Sequence, residues 1–353
     1  MNPSKKYVLI CLVLLLISSQ LAVAQCTQSL NRAEDEYEKG RLLDIPSMLS
    51  LCLKRNGFSK EEKIRAYKLL TKVYIFSDQE TDAEKALIGL LKADPEHELD
   101  ALFDPAELFY LYEKFRVTPI YRIGGKLGVN FSMPNAFEDF SAFSGSGSVR
   151  DYSSQLGVNG ELSIERHIKN GLEVSAGLQF SATRFSVDEV FDDTGILTTI
   201  NETQTWIKVP ILARYNVFYE DKSKPILPYA FGGASINFLI DARFADSERQ
   251  GGTQRSINGY DLLANNERKS INYSLFFGGG AKIRSNRVHF FTIEARYELG
   301  LLNYVNSENR FVSNASINGL AYVPDNLSLN FLSFSLGYTH SIYNPKKKRK
   351  VNK

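Results

Sequence analysis

The sequence predicts an α+β protein in two separate domains: a short α-helical N-terminal part followed by an eight-stranded antiparallel transmembrane β-barrel. Three observations carry that expectation. About eight stretches between Tyr121 and Tyr343 alternate apolar and polar residues with period two, the last reading Leu332-Ser-Phe334-Ser-Leu336-Gly-Tyr338. Their connections alternate between short turns and long polar loops, the asymmetry of barrels in an outer membrane. The alternating region also follows a secretory leader, so its apolar face is expected to meet lipid.

In the leader, Lys5 and Lys6 precede an apolar run, Tyr7 to Ile17, too short to span a bilayer. Ala22-Val-Ala24 supplies small residues for cleavage, so residues 1–24 read as a signal peptide and the mature chain starts at Gln25. Gln25 stands where a lipobox needs a small residue before Cys26, which argues against lipidation. No later segment is long and apolar enough for a transmembrane helix, which leaves strands as the way across a membrane. The chain holds 42 Lys and Arg against 40 Asp and Glu, and this near-neutral balance gives no reason to expect nucleic acid as a partner. Its 23 Phe and 18 Tyr suit a barrel with aromatic girdles. Cys26 and Cys52 are the cysteines of the mature chain, and in an oxidising periplasm a disulfide between them is expected over two free thiols.

Residues 25–116 read as helical. Leu30, Ala33 and Tyr37 share one helical face, which Gly40 ends. Pro46 suits a first helical turn leading into Met48, Leu49, Cys52 and Leu53, with Gly57 as the stop. Ser59 with Glu62 forms a capping box for a third helix bearing Ile64, Tyr67, Leu70 and Tyr74. A fourth carries Ala83, Leu87, Leu90 and Leu91 up to Asp94-Pro95, and a fifth follows Pro105 with Leu108, Phe109, Tyr112 and Phe115. The pair from Ala66 to Pro95 resembles a tetratricopeptide repeat, with Tyr67, Leu70, Tyr74, Ala83, Leu87, Leu90 and Pro95 in its bulky, small and terminating positions. Thr71 departs from it, standing where a small residue normally lets the helices approach. The resemblance implies a TPR-like protein-binding module; the plainer reading is a helical spacer. Val117-Thr118-Pro119 is the hinge, because the residue before Pro leaves helical geometry.

The barrel is expected over residues 117–343, with strands at 120–131, 154–168, 172–187, 203–218, 226–243, 271–284, 289–304 and 328–343. With the helical domain in the periplasm, strand one runs outward and the long loops lie outside the cell. Alternation assigns Arg122, Lys126, Lys208, Arg214, Arg243, Lys282 and Arg296 to the inner face, opposed by Glu161, Glu165, Glu173, Asp241, Glu294 and Glu298. Eight strands leave an interior just wide enough for side chains to fill, so these mixed charges are expected to pair and plug the lumen. A lining of one sign would instead have pointed to an ion-selective pore.

Trp206-Ile-Lys-Val-Pro210-Ile-Leu-Ala-Arg214-Tyr215 resembles the aromatic-x-x-x-Pro strand of the PorT-like outer-membrane barrels of Bacteroidota. Pro228-Tyr229-Ala-Phe231-Gly232-Gly233 resembles the strand that follows it there. Phe277-Gly-Gly-Gly-Ala281 and Ile293-Glu-Ala-Arg296-Tyr297-Glu-Leu-Gly300-Leu301 resemble two strands nearer the end. The resemblance covers about residues 119–343 and implies an outer-membrane barrel, with an envelope-assembly or secretion complex as its setting. Expected partners are outer-membrane lipid and periplasmic or outer-membrane proteins.

No catalytic, cofactor or metal set is expected. The four histidines, His97, His167, His289 and His340, are scattered, and His289 and His340 are expected to face outward as interfacial anchors. Loop carboxylates Glu138, Asp139, Asp192 and Asp193 show no distinctive spacing. Gly278-Gly279-Gly280 lies within a strand and is expected to make room for a bulky neighbour or to let the strand bend. In the first long loop Phe137, Phe140 and Phe143 are candidates for partner contact or for a lid over the barrel mouth. Residues 344–353 form a basic tail whose heptapeptide from Pro345 to Val351 matches a viral nuclear-localisation signal. A secreted barrel never meets nuclear import, and the tail is expected to be solvated.

Overall fold

A computed structural model describes residues 25–142, 148–191, 195–219, 224–251, 254–286, 288–311 and 319–348. The leader, Phe143, Asp192 and Asp193 lie outside the described residues. The chain divides into two compact units, Met1–Pro119 with Tyr343–Lys353, and Ile120–Ile342.

The first unit contains helices α1 (25–38), α2 (Ile45–Lys54), α3 (Lys60–Phe76), α4 (Glu80–Ala93) and α5 (Ala106–Glu113). Each boundary has a local cause. Gly40 ends the first segment at φ +75°, and Pro46 sits in the first turn of α2. Ser59 and Glu62 close the reciprocal capping box of α3, which offsets two orphan N–H donors. α2 ends at Lys54, and the left-handed residue that turns the chain after it is Asn56, at φ 52°, rather than Gly57. A disulfide joins Cys26 on α1 to Cys52 on α2, with 5.6 Å between their Cα atoms. Beneath it Leu30, Ile45, Leu49, Ala66 and Val73 form one apolar cluster, while Leu87, Leu90, Leu91, Leu111 and Phe115 form another.

Thr71 is fully buried, and its hydroxyl donates to the Tyr67 carbonyl at 2.7 Å within its own helix. The close approach of α3 and α4 comes instead from Gly89, where an added Cβ would lie 2.4 Å from the Tyr67 ring. A second anchor is Asp104, buried before α5 and within 2.7 Å of both the Lys68 and Lys72 ammonium groups. Burial pushes its carboxyl upward, but the two lysines and the Asp100 N–H outweigh that and hold it below the usual carboxylate range.

The basic tail is not free along its described length. The Arg116 N–H donates to the Lys346 carbonyl at 3.1 Å and the Lys348 N–H to the Lys114 carbonyl at 2.7 Å, around a Phe115–Lys347 bridge. Tyr343 donates its hydroxyl to Glu96 at 2.6 Å, and the Lys347 ammonium pairs with Glu84. A backbone donor, a backbone acceptor and two carboxylates within the same unit thus replace water around residues expected to be solvated.

Among the described residues the second unit has ten strands: β1 Tyr121–Glu138, β2 Ser148–Lys169, β3 Leu172–Phe191, β4 Ile196–Asn216, β5 Ile226–Phe244, β6 Ser247–Gln250, β7 Arg255–Ile257, β8 Ile271–Arg284, β9 His289–Gly300 and β10 Asn326–Ile342. Eight of them close a ring in the order β1-β2-β3-β4-β5-β8-β9-β10, with β10 antiparallel to β1 from Ile342↔Tyr121 onward. Closure pairs every edge, as a sheet in hydrocarbon requires. The short β6–β7 hairpin extends β4 beyond the ring at Leu197–Thr199. Strands β1 to β4 run 18 to 22 residues, well past the expected boundaries.

The burial pattern is inverted relative to a water-soluble barrel. Leu127, Leu162 and Leu336 are 76%, 68% and 65% exposed, whereas Glu165 and Arg214 are 2% and 1% exposed. An apolar outer belt over a charged interior is stable in lipid and a large aggregation liability in water. The polarity then reverses along single strands. On β3 the outward residues pass from Val174, Leu178 and Phe180 to Arg184, Ser186 and Asp188, while the inward ones pass from Glu173 and Gln179 to Phe185, Val187 and Phe191. The strands therefore leave the lipid belt near Ala182 and continue as a rim with a polar exterior and an apolar interior.

The charged lumen as candidate functional site

The inward charges stack in tiers. At the end carrying the short turns, Arg122 pairs with Glu173 and donates to Ser341 Oγ at 3.2 Å. Lys282 reaches Glu165 at 2.9 Å and Glu173 at 2.6 Å, and Arg214 donates to Glu165 at 2.5 Å. One tier further in, Glu294 takes Lys126 at 2.9 Å, Arg296 at 2.9 Å and the Tyr229 hydroxyl at 3.0 Å, while Glu161 takes Lys126 and Arg296 at 3.2 and 2.9 Å. The third tier is a pair: Lys208 chelated by both oxygens of Glu298 at 2.8 and 2.9 Å. Asn237 and Ser274 also donate to Glu298, and the Lys208 ammonium lies 3.8 Å from the Phe331 ring centroid.

Aromatic faces fill the space between ions. The Arg214 guanidinium lies 4.5 Å from the Tyr229 ring, and that of Arg296 lies 4.8 Å from Phe276. Inward Gly278 and Gly280 make the room: an added Cβ would stand 2.6 Å from the Phe231 ring and 2.7 Å from the Tyr229 hydroxyl. The glycine run is thus a packing device inside the barrel.

Asp241 and Arg243 are a correction. Trp206 pairs with Leu239 but Thr205 pairs with Asp241, so Ile240 is an extra residue and forms a bulge. One inserted residue flips the alternation beyond it. Ala242 and Phe244 turn inward, while Asp241 and Arg243 pair with each other at 2.7 Å on the outer face.

Above the third tier the lumen is filled by an apolar cluster. Trp206, Phe185, Ile200 and Phe244 from the strands meet Leu262, Tyr304, Leu320 and Tyr322 from the loops. Sequence reasoning missed two ion sets embedded there. Arg268 grips both oxygens of Glu202 at 2.9 and 2.6 Å, and Gln204 links Glu202 to the Trp206 indole N–H. Arg150 bridges Glu189, at 2.8 Å, and Asp325, which also accepts the Tyr152 hydroxyl at 2.5 Å. Glu189 and Glu202 share the inward parity of Glu173 and Lys208, a signal that longer strands would have exposed. Arg268 and Asp325 sit in loops and carry no such signal.

At the same end Phe140 is folded back. Its N–H donates to Asp325 at 2.8 Å and its ring lies 3.5 Å from the Arg310 guanidinium, whereas Phe137 is exposed. Glu138 accepts from Asn326, and His167 stacks on Tyr219. Charges neutralised in pairs beneath an apolar cap oppose ion passage, because an ion entering must displace a paired group in a medium of low polarity. Purified wild-type protein in a planar bilayer is expected to show no steady single-channel conductance; sustained current would refute the plugged lumen.

A family model described as an outer membrane protein beta-barrel domain matches residues 120–306. No curated protein matches the chain. Solved structures with likeness include Neisserial surface protein A, at 12% identity and a TM-score of 0.33, covering 63% of this chain and 97% of that one. OprG from Pseudomonas aeruginosa is similar at 11% identity and a TM-score of 0.37, covering 64% and 98%. Ail, the attachment invasion locus protein of Yersinia pestis, is similar at 15% identity and a TM-score of 0.29, covering 62% and 99%. Likeness at those scores carries no weight; the family match does.

Proposed function

The chain belongs to the outer membrane protein beta-barrel domain family, and from that premise we propose that it is a non-enzymatic membrane anchor that presents its helical unit to periplasmic proteins. The observation that carries this reading is the filled lumen: salt-bridged tiers below and an apolar cluster above serve stability, and leave the helical unit as the part free to bind. That unit shows exposed apolar side chains, Leu43, Leu102, Phe103 and Tyr110, of the kind that partners cover. The likeness of residues 66–95 to a tetratricopeptide repeat supports a protein-binding role, and the PorT-like resemblance supports an envelope-assembly or secretion complex as the setting.

A second reading rests on a different observation. A cavity of about 300 Å³ at the loop end, beside Phe140, Arg150 and Tyr152, favours a surface-binding barrel that takes a small polar solute.

Co-purification from outer membranes in mild detergent, with intact protein and with a variant lacking residues 27–116, separates the two. Partners lost on deletion while the barrel stays inserted are the expected result. Partners retained by the truncated protein would move the function to the barrel and its loops.

A further inference from the structure

Near the short-turn end, the outer face of β9 and β10 carries a polar cluster among aromatic and apolar side chains. His289 and His340 are direct partners across the ladder, and their Nδ1 atoms lie 3.3 Å apart. Tyr338, two residues before His340 and on the same face, brings its hydroxyl onto His289 Nδ1. Phe291 packs against Tyr338 with ring centroids 5.7 Å apart. Three donor atoms thus converge, and the strand pairing sets the spacing of their Cβ atoms.

We propose that His289, His340 and Tyr338 bind one borderline divalent transition-metal ion of the Cu²⁺ or Zn²⁺ class. Two metal–nitrogen bonds of about 2.0–2.1 Å at a tetrahedral angle place the nitrogens about 3.3–3.4 Å apart. The two Nδ1 atoms already stand at that separation. Hydrogen bonding alone serves the cluster poorly. A ring nitrogen has one lone pair or one N–H, so His289 Nδ1 cannot serve His340 and Tyr338 equally well. An ion placed beside the two nitrogens gives each imidazole its own bond and lets Tyr338 supply oxygen as a third ligand or hold a bound water. Imidazole donors select this class over calcium or magnesium, which want several oxygens, and Cu²⁺ binds such a set more tightly than Zn²⁺.

Among the described residues no group of three or more His, Cys, Asp and Glu comes together. The site is therefore one of two imidazoles and a phenol, which sequence spacing could not reveal: the histidines are 51 residues apart and meet only through strand register. An ion there would cross-link β9 to β10 on the outside of the barrel.

The test adds Cu²⁺ to untagged full-length protein in detergent, in a His97→Gln/His167→Gln background that removes the other two imidazoles. Calorimetry is expected to give one ion per chain, and electron paramagnetic resonance to show coupling to two imidazole nitrogens. His289→Gln or His340→Gln should each weaken binding at least about tenfold, and Tyr338→Phe less. Unchanged affinity in either histidine variant would overturn the site. So would a copper spectrum of the unsubstituted cluster without imidazole coupling, which needs no variant of the site to fold.

Discussion

Replacing Lys208 by Met is expected to destabilise the barrel by about 3–5 kcal/mol, because it leaves the Glu298 carboxylate buried without its counter-charge. The pair is the cleanest place to test the lumen, since Lys208 and Glu298 chelate one another in a tier of their own. Asn237 and Ser274 stay on Glu298 in the variant, so part of the desolvation penalty is offset and the loss falls short of that for a bare ion. The double variant Lys208→Met/Glu298→Leu should recover most of the loss, as apolar replacements of buried pairs commonly do. The readout is the urea midpoint of heat-modifiable gel mobility in detergent. A single variant as stable as wild type would mean that water reaches Glu298, and the plugged lumen would fall with it.

Cys52→Ser is the second large expectation, a loss of about 3 kcal/mol confined to the helical unit. The bridge spans 26 positions between Cys26 and Cys52 and ties α1 to α2, which otherwise share a small cluster around Leu30, Ile45 and Leu49. A unit of this size gains much of its stability from such a staple. Limited proteolysis should therefore cut within residues 25–58 after reduction or substitution, while the barrel keeps its urea midpoint. Equal protease resistance with and without the bond would show that the apolar cluster alone suffices.

Much of the barrel was legible because period-two alternation is local. Lys126, Glu161, Glu165, Glu173, Arg214 and Arg296 could be placed inside by parity, and each lies there in ion pairs. Parity failed at Asp241 and Arg243, since a bulge at Ile240 leaves no mark in composition and reverses every assignment after it. Strands β1 to β4 were also read too short at their long-loop ends, whereas the strand expected over 289–304 ends at Gly300. On β3 the two faces exchange polarity near Ala182, and the alternation persists with the faces exchanged to Phe191, beyond the expected end at 187. In the helical unit the capping box of Ser59 and Glu62 was visible as a short-range pattern. Gly89 was not, because its importance comes from the Tyr67 ring on the facing helix.

The sequence by itself determined the two-part architecture, the barrel, its apolar outer belt and the mixed charge of its lumen, all of which rest on periodicity and caps within a few residues. Only the tertiary structure decided which carboxylate meets which ammonium, where the apolar cap of Tyr304, Leu320 and Tyr322 seals the lumen, and that His289 faces His340. Those outcomes depend on strand register and on loops returning over the barrel mouth. Both are set by the closing of the ring as a whole, which no local stretch of residues encodes.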